Sequence, residues 1–183
     1  MPDMIVKLYD LPALEPAIAS QRALGVNIRR VMTPEKFLVL GWIREHFSEY
    51  WVSEADAGFS AHPTTVMLAH RGDQVLGFAC YDTTFKNFFG PTGVDAAERG
   101  QGIGTALLLS TLHAMRDAGY MYAIIGGAGP VGYYEKAGAA VIPDSEPSRA
   151  YRGMLGTEAV YTQGAPSDSF LGMEPINQNG DAV

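Results

Sequence analysis

Between Val94 and Leu108 the chain reads VDAAERGQGIGTALL, an apolar strand end that passes through a glycine-spaced turn directly into a helix. Such a junction makes a binding site for phosphate. Gly100, Gly102 and Gly104 carry no Cβ, so the turn can take positive φ and its backbone can lie against a ligand without a steric wall. The first turn of the helix offers N–H groups with no internal partner, and the helix dipole adds partial positive charge there. A diphosphate satisfies both deficits. Thr105 adds a hydroxyl at the same place. The order of glycines separates three loop types. No GK[ST] follows, so the lysine and hydroxyl that a nucleotide triphosphate and its magnesium require are absent. The dinucleotide pattern GxGxxG also fails, because Thr105 or Leu107 falls in its third glycine slot.

What remains is R-x-x-G-x-G, formed by Arg99, Gly102 and Gly104 after Val94-Asp95. This resembles the acetyl-coenzyme A loop of the GNAT superfamily, the Gcn5-related N-acetyltransferases. Downstream, GYYEKAGA from Gly132 to Ala139 is similar to the second signature of that superfamily, an aromatic pair followed by Glu-Lys and a glycine that closes a short helix. The resemblance spans roughly residues 26 to 154, with both signatures in the expected order. It implies a mixed α/β (α+β) fold whose central sheet is mainly antiparallel and flanked by helices, with acetyl-CoA bound where neighbouring strands splay apart. It also implies that Arg99, Gly100, Gln101, Gly102, Ile103, Gly104 and Thr105 hold the diphosphate. The strand end from Thr92 to Val94 would then pair with the pantetheine arm as though it were an added strand.

Acetyl transfer to an amine requires a neutral nucleophile, stabilisation of the oxyanion and a proton for the departing thiolate. Tyr134 takes the position of the superfamily's tyrosine and is the candidate acid. Tyr133 beside it reads as packing. The oxyanion donor would be a backbone N–H at Thr92 to Val94, which leaves no side-chain signature. A general base is not singled out: Asp82, just past a strand end, and Glu54, near the acceptor-side helices, are both candidates and both compatible with a solvated carboxylate. Many members of the superfamily carry an asparagine seven residues before the tyrosine, where this chain has Gly127, so that contact is missing or replaced. His46, His62, His70 and His113 lie far apart and form no recognised ligand spacing, so no metal is expected.

Two rival readings stand beside this one. Gly127, Gly129 and Gly132 satisfy GxGxxG after a strand and before a helix, with Asp144 or Glu146 near the distance of a ribose-binding acid, the pattern of an NAD- or FAD-binding oxidoreductase. Against it stand the very short helix before Gly138 and the little chain left for further parallel units. The other rival is a non-catalytic acyl-CoA sensor that has kept the fold and lost the reaction.

The elements that must position these groups read as follows. A short β-like run, Met4 to Tyr9, and a helix, Leu14 to Leu24, form an N-terminal extension over 1–25 to which the sequence assigns no role. A strand from Val26 to Val31 precedes Thr33-Pro34-Glu35, an N-cap, a first-turn proline and an early acid that start a helix. Val39, Trp42, Ile43, His46, Phe47 and Tyr50 give it one buried face, and a second helical piece covers Trp51 to Asp56. Thr65 to His70 and Gln74 to Tyr81 form a hairpin about an Arg-Gly-Asp turn, and a further strand covers Phe88 to Val94. Pro91 cannot donate to a ladder and belongs at a bulge or where strands part. A buried helix from Gly102 to Ala118 capped by Gly119, a strand from Tyr120 to Gly126, and two closing strands, Ala140 to Ile142 and Arg149 to Leu155, complete a domain over 26–155. The stretch 156–183 is rich in Gly, Pro, Ser and Asn and reads as a tail.

The chain has 183 residues, 47% of them hydrophobic and 18% charged, which suits one sizeable core. A net charge of −7 lacks the basic face of a nucleic-acid-binding protein. Cys80 stands alone in an apolar run, so no internal disulfide can form. The start, MPDMIVKLYDLP, has neither a long apolar core nor a cleavage pattern, and no segment approaches about 18 consecutive apolar residues, so neither a signal sequence nor a membrane span is expected and the chain reads as cytoplasmic. The partner implied is a small-molecule or peptide amine, and the resemblance allows a homodimer.

Overall fold

The computed structural model describes residues 1–155; the expected tail over 156–183 lies outside them. In chain order the elements are β1 (Met4–Lys7), α1 (Glu15–Ala23), β2 (Asn27–Arg30), α2 (Lys36–His46), α3 (Glu49–Gly58), β3 (Val66–Arg71), β4 (Gln74–Tyr81), β5 (Phe89–Val94), α4 (Ile103–Asp117), β6 (Tyr122–Ile125), α5 (Val131–Glu135) and β7 (Ala139–Val141). The strands form two antiparallel sheets, one in the order β2-β3-β4-β5 and the other β6-β1-β7. A mixed α/β architecture with mainly antiparallel pairing is therefore what the chain adopts.

The two sheets touch at one end only. Phe88 bridges Ile124 in parallel, and the Ile124 N–H donates to Asn87 O at 2.9 Å. Beyond that bridge no ladder joins β5 to β6, and the strands part. Pro91 is where the sequence reading puts it. Between the pairs Ala79–Thr92 and Tyr81–Phe89, β5 carries one residue more than β4, so the bulge absorbs the proline that cannot donate.

The buried face of α4, with Ile103, Leu107, Leu108, Leu112 and Met115, packs against β3, β4 and β1 through Ala69, Leu76, Ala79, Met4 and Val6. On the opposite face of β3 and β4, Val39, Leu40 and Ile43 of α2 and Trp51, Val52 and Ala55 of α3 cover Leu68, Val75, Phe78 and Cys80. Burying those apolar faces at about 25 cal/mol per Å² is the main force holding the helices on the sheet.

Several expectations need correction. The N-terminal run has a structural role: β1 is the middle strand of its sheet, and Met4, Val6 and Leu8 are fully buried. Thr33 does not cap α2; Thr33–Glu35 is a 3-10 turn in which the Glu35 carboxylate accepts the Met32 N–H at 2.7 Å. The buried face of α2 is Val39, Leu40 and Ile43, with Trp42 and Phe47 packed partly buried against the same cluster as expected; the helix ends at His46, and His46 and Tyr50 are exposed. Arg149 to Leu155 is a run of turns, not a strand, with Arg152 N–H donating to Arg149 O and Met154 N–H to Tyr151 O.

Candidate active site

The gap between β5 and β6 opens into a cavity of about 510 Å³. Its floor is the edge of β5. The Asp95 N–H donates to Leu76 O at 2.9 Å, which makes Asp95–Leu76 a hydrogen-bonded pair of the antiparallel ladder. Alternation along the strand then turns the N–H and C=O of Thr92 and Val94 away from β4 and toward the gap. There the Arg99 guanidinium donates to Val94 O at 3.4 Å, and the Thr92 hydroxyl turns back to Phe78 O at 3.0 Å.

At one end of the cavity lies the α4 N-terminus. Its N-cap is Gly102, with φ +85°, and no side chain among the described residues caps the helix. The N–H of Ala106 reaches Gly102 O at 3.1 Å, so the amides of Ile103, Gly104 and Thr105 are left without an intrahelical partner. Gly100 also has positive φ, +79°. Gly104 is needed for another reason: it is helical, and a Cβ there would meet the Tyr133 hydroxyl at 3.3 Å. That hydroxyl donates to Gly104 O at 2.7 Å and ties α5 to the first turn of α4. From below, the buried Gln21 of α1 donates to Gln101 O at 2.9 Å and sits against Gly102.

The local charge suits an anion. Glu98 is an acid at the mouth of the site, but the Arg71 guanidinium grips both its oxygens at 3.0 and 3.1 Å and holds its carboxyl below the usual range. Arg99 and Lys136 also line the cavity.

Thr92, Val94, Arg99, Gly100, Gly102, Ile103, Gly104, Thr105 and Tyr134 thus come together around one cavity. Gln101 is the exception. Its backbone carbonyl is taken by Gln21 and its side-chain amide donates to Glu98 Oε2 at 3.0 Å, so it braces the loop from outside the lining. Tyr134 is buried, and its desolvated phenol is pushed well above the ordinary tyrosine range. Tyr133, read from sequence as packing, lines the same space. Asp82 is outside it. The Asp82 carboxylate accepts the Asn87 N–H at 2.7 Å and the Tyr120 hydroxyl at 2.6 Å, which closes the turn before β5 and pushes Tyr120 up to about 12. Glu54 lines the cavity, where it accepts a hydrogen bond from the Thr84 hydroxyl. Phe47, Trp51 and Tyr151 complete the wall beside it, without a motif to announce them.

Gly127, which stands where an asparagine is common, donates its N–H to Asp3 Oδ1 at 2.8 Å. Ala128 N–H donates to Pro2 O at 2.7 Å, so the glycine-rich loop is moored to the start of the chain. A dinucleotide fold is not what surrounds that loop, because β6 has only an antiparallel neighbour in its sheet and α5 has five residues. The described residues contain no cluster of three or more His, Cys, Asp or Glu side chains able to hold a metal, and no helix long and apolar enough to cross a membrane.

An antiparallel sheet that splays beside an uncapped, glycine-led helix is the architecture of a coenzyme A-dependent acyltransferase. The model of the acetyltransferase (GNAT) family matches residues 28–139, more than half of the chain, and the chain belongs to that family. No curated protein matches the sequence. Among solved structures, a GCN5-related glucosamine N-acetyltransferase region of a fungal multi-domain GH3 β-N-acetylglucosaminidase is 14% identical, with a TM-score of 0.65 over 77% of this chain and 19% of that one. A GCN5-related N-acetyltransferase from Sphaerobacter thermophilus is 20% identical, with a TM-score of 0.60 over 77% of this chain and 48% of that one. A GNAT family acetyltransferase from Brucella melitensis, solved in complex with acetyl-CoA, is 24% identical over 61% of this chain and 80% of its own, with a TM-score of 0.47. The chain spans about a fifth of the first of these proteins and about half of the second.

Proposed function

We propose that the chain is an acetyl-CoA-dependent N-acetyltransferase in which a primary amine attacks the thioester directly. One observation carries this reading: two sets of backbone groups that no ladder or helix bond takes up, the edge of β5 and the first turn of α4, face a single cavity. They suit different parts of one ligand. The amides of Ile103, Gly104 and Thr105, with Arg99, match a diphosphate, and the Thr92 and Val94 backbone matches the amides of a pantetheine arm. Bound there, acetyl-CoA supplies an activated acetyl group, and the protein orients it.

A backbone N–H of the Thr92 to Val94 edge is the donor for the carbonyl oxygen as it gains charge. The amine nitrogen forms a bond to the acetyl carbon, the carbon–sulfur bond breaks, the nitrogen sheds a proton and the thiolate gains one. Tyr134 is the assigned proton source. Burial keeps its phenol protonated at neutral pH. Even at the ordinary tyrosine pKa of about 10, giving a proton to a thiolate whose acid titrates near about 8.5 is uphill by roughly 2 kcal/mol, and the burial of Tyr134 steepens that climb. Donation therefore accompanies carbon–sulfur cleavage, and the proton is restored from the amine.

The test is Tyr134→Phe, with thiol release from acetyl-CoA followed across a panel of amines. The expected result is a fall in kcat of at least about tenfold with acetyl-CoA affinity nearly unchanged. Equal turnover removes Tyr134 from the mechanism. An unchanged melting temperature of the wild type in saturating acetyl-CoA removes the cofactor assignment, since a ligand stabilises the state that binds it.

A further inference from the structure

A second cavity, of about 300 Å³, shares Trp51, Glu54 and Tyr151 with the first. Its remaining walls are Tyr50, Ser53, Thr83, Thr84 and Met154. Among the described residues, Glu54 is the single charged one in that lining. Other acids withdrawn from solvent have cationic partners: Arg29 holds Glu35 and Arg71 holds Glu98. Glu54 is half-buried as they are, and desolvation raises its carboxyl above the ordinary range, yet among the described residues it makes no ion pair. The Thr84 hydroxyl is its hydrogen-bond donor, and the titratable groups facing it are the Cys80 thiol of β4 and the Tyr151 phenol of the C-terminal turns. A carboxylate desolvated without a counter-charge is costly unless a cation arrives with the ligand.

We infer that the second cavity is the acceptor site, that Glu54 receives the ammonium of the acceptor, and that the acceptor class is a primary amine whose remaining body carries no negative charge. This rests on the acetyltransferase reading above, because Glu54 is useful there as a residue of both cavities. The Trp51 and Tyr151 rings wall the space for an apolar or aromatic body, and the Ser53, Thr83 and Thr84 hydroxyls, whose protons go to Glu49 O, Gly90 O and Glu54, leave lone pairs that accept from an ammonium. No cationic side chain among the described residues of the lining meets a carboxylate, so an α-amino acid would bury its own acid beside Glu54. In the reaction the ammonium gives one proton to the Glu54 carboxylate, leaving a neutral amine and a neutral carboxyl. Burial raises the affinity of Glu54 for that proton above that of an ordinary carboxylate.

The experiment uses the full chain with 2-phenylethylamine and phenylalanine as a matched pair of acceptors, with acetyl-CoA-induced thermal stabilisation measured in parallel. The wild type is expected to acetylate 2-phenylethylamine at least about a hundredfold more efficiently than phenylalanine. Glu54→Gln, which can keep the Thr84 hydrogen bond, should lower kcat/KM for 2-phenylethylamine at least about a hundredfold and keep the acetyl-CoA stabilisation. The wild-type kcat/KM should decline as acid is added, through an apparent pKa above 4.5, and Glu54→Gln should lose that limb. Glu54→Asp, which keeps the charge on a shorter arm, should retain the limb at reduced rate. Equal use of both acceptors, or wild-type kinetics in Glu54→Gln, overturns the proposal. So does stabilisation by acetyl-CoA with no acetylation of 2-phenylethylamine, which leaves the cofactor reading standing. Absence of stabilisation in the wild type overturns both.

Discussion

Replacing Gly102 by alanine tests the geometry on which the site rests. Gly102 has φ +85°, and an added Cβ would lie 3.1 Å from Gln21 Nε2. Left-handed backbone costs an alanine about 1–2 kcal/mol more than glycine. The second effect is mechanical: Gln21 is 2% exposed, its Oε1 has no partner among the described residues, and its Nε2 holds the Gln101 carbonyl at 2.9 Å. Pushing that amide aside leaves it wholly unsatisfied, a further loss of about 1–3 kcal/mol. For a chain of this size, each kcal/mol lowers the melting temperature by about 2–4 °C. Gly102→Ala should therefore melt well below the wild type, and its affinity for acetyl-CoA by calorimetry should fall at least about tenfold as the helix amides shift. Two controls separate the causes. Gly100→Ala, at φ +79° with open space around the new methyl, should lose only the backbone share of stability. Gly119→Ala, at φ +97° beyond the far end of α4, should lose a similar share and bind acetyl-CoA like the wild type. A Gly102→Ala protein with wild-type melting and wild-type affinity refutes the reasoning.

Other perturbations read other parts of the fold. A Cβ at Gly93 would lie 2.3 Å from Phe47 Cζ, and the Phe47 ring is hemmed in by Trp42, Trp51 and Phe78 at centroid distances of 5.7, 4.9 and 5.8 Å. Gly93→Ala should lose about 1–3 kcal/mol in urea unfolding, whereas Gly41→Ala, in α2 with nothing within 4 Å, should gain up to about 1 kcal/mol; the opposite ranking would contradict the packing described. Arg29, foremost, holds the Glu35 carboxyl at about 2 against an ordinary 4.5. Because the folded value lies below the unfolded one, this contribution is whole above pH 4.5 and fades as the pH falls toward 2. The stability gap between wild type and Glu35→Gln should be flat from about pH 5 to 7 and shrink below that range; a gap as large at pH 2.5 as at pH 6 would sink the assignment.

The chemistry of the cofactor end is legible in the order of residues because it is local. A helix N-terminus needs only its own glycines and the turn before it to expose amides, so Arg99 to Thr105 announce themselves within seven residues. Most elements are equally local, since apolar periodicity and the Gly-Asp turn mark α4 and the β3–β4 hairpin. Folding in three dimensions decided what stands behind and beside that loop. Gln21 lies 80 residues from the carbonyl it holds, and Tyr133, which looks like packing, anchors Gly104 instead. The role of β1 could not be read from four residues, because a strand becomes central only when both of its partners, β6 and β7, have arrived from the other end of the chain. The same holds for the two acids that sequence left level. Asp82 and Glu54 are both carboxylates near strand or helix ends, and neither carries a local signal of its task. Long-range contacts separated them: Tyr120 and the Asn87 amide occupy Asp82, and the walls of two cavities meet at Glu54, which among the described residues makes no ion pair.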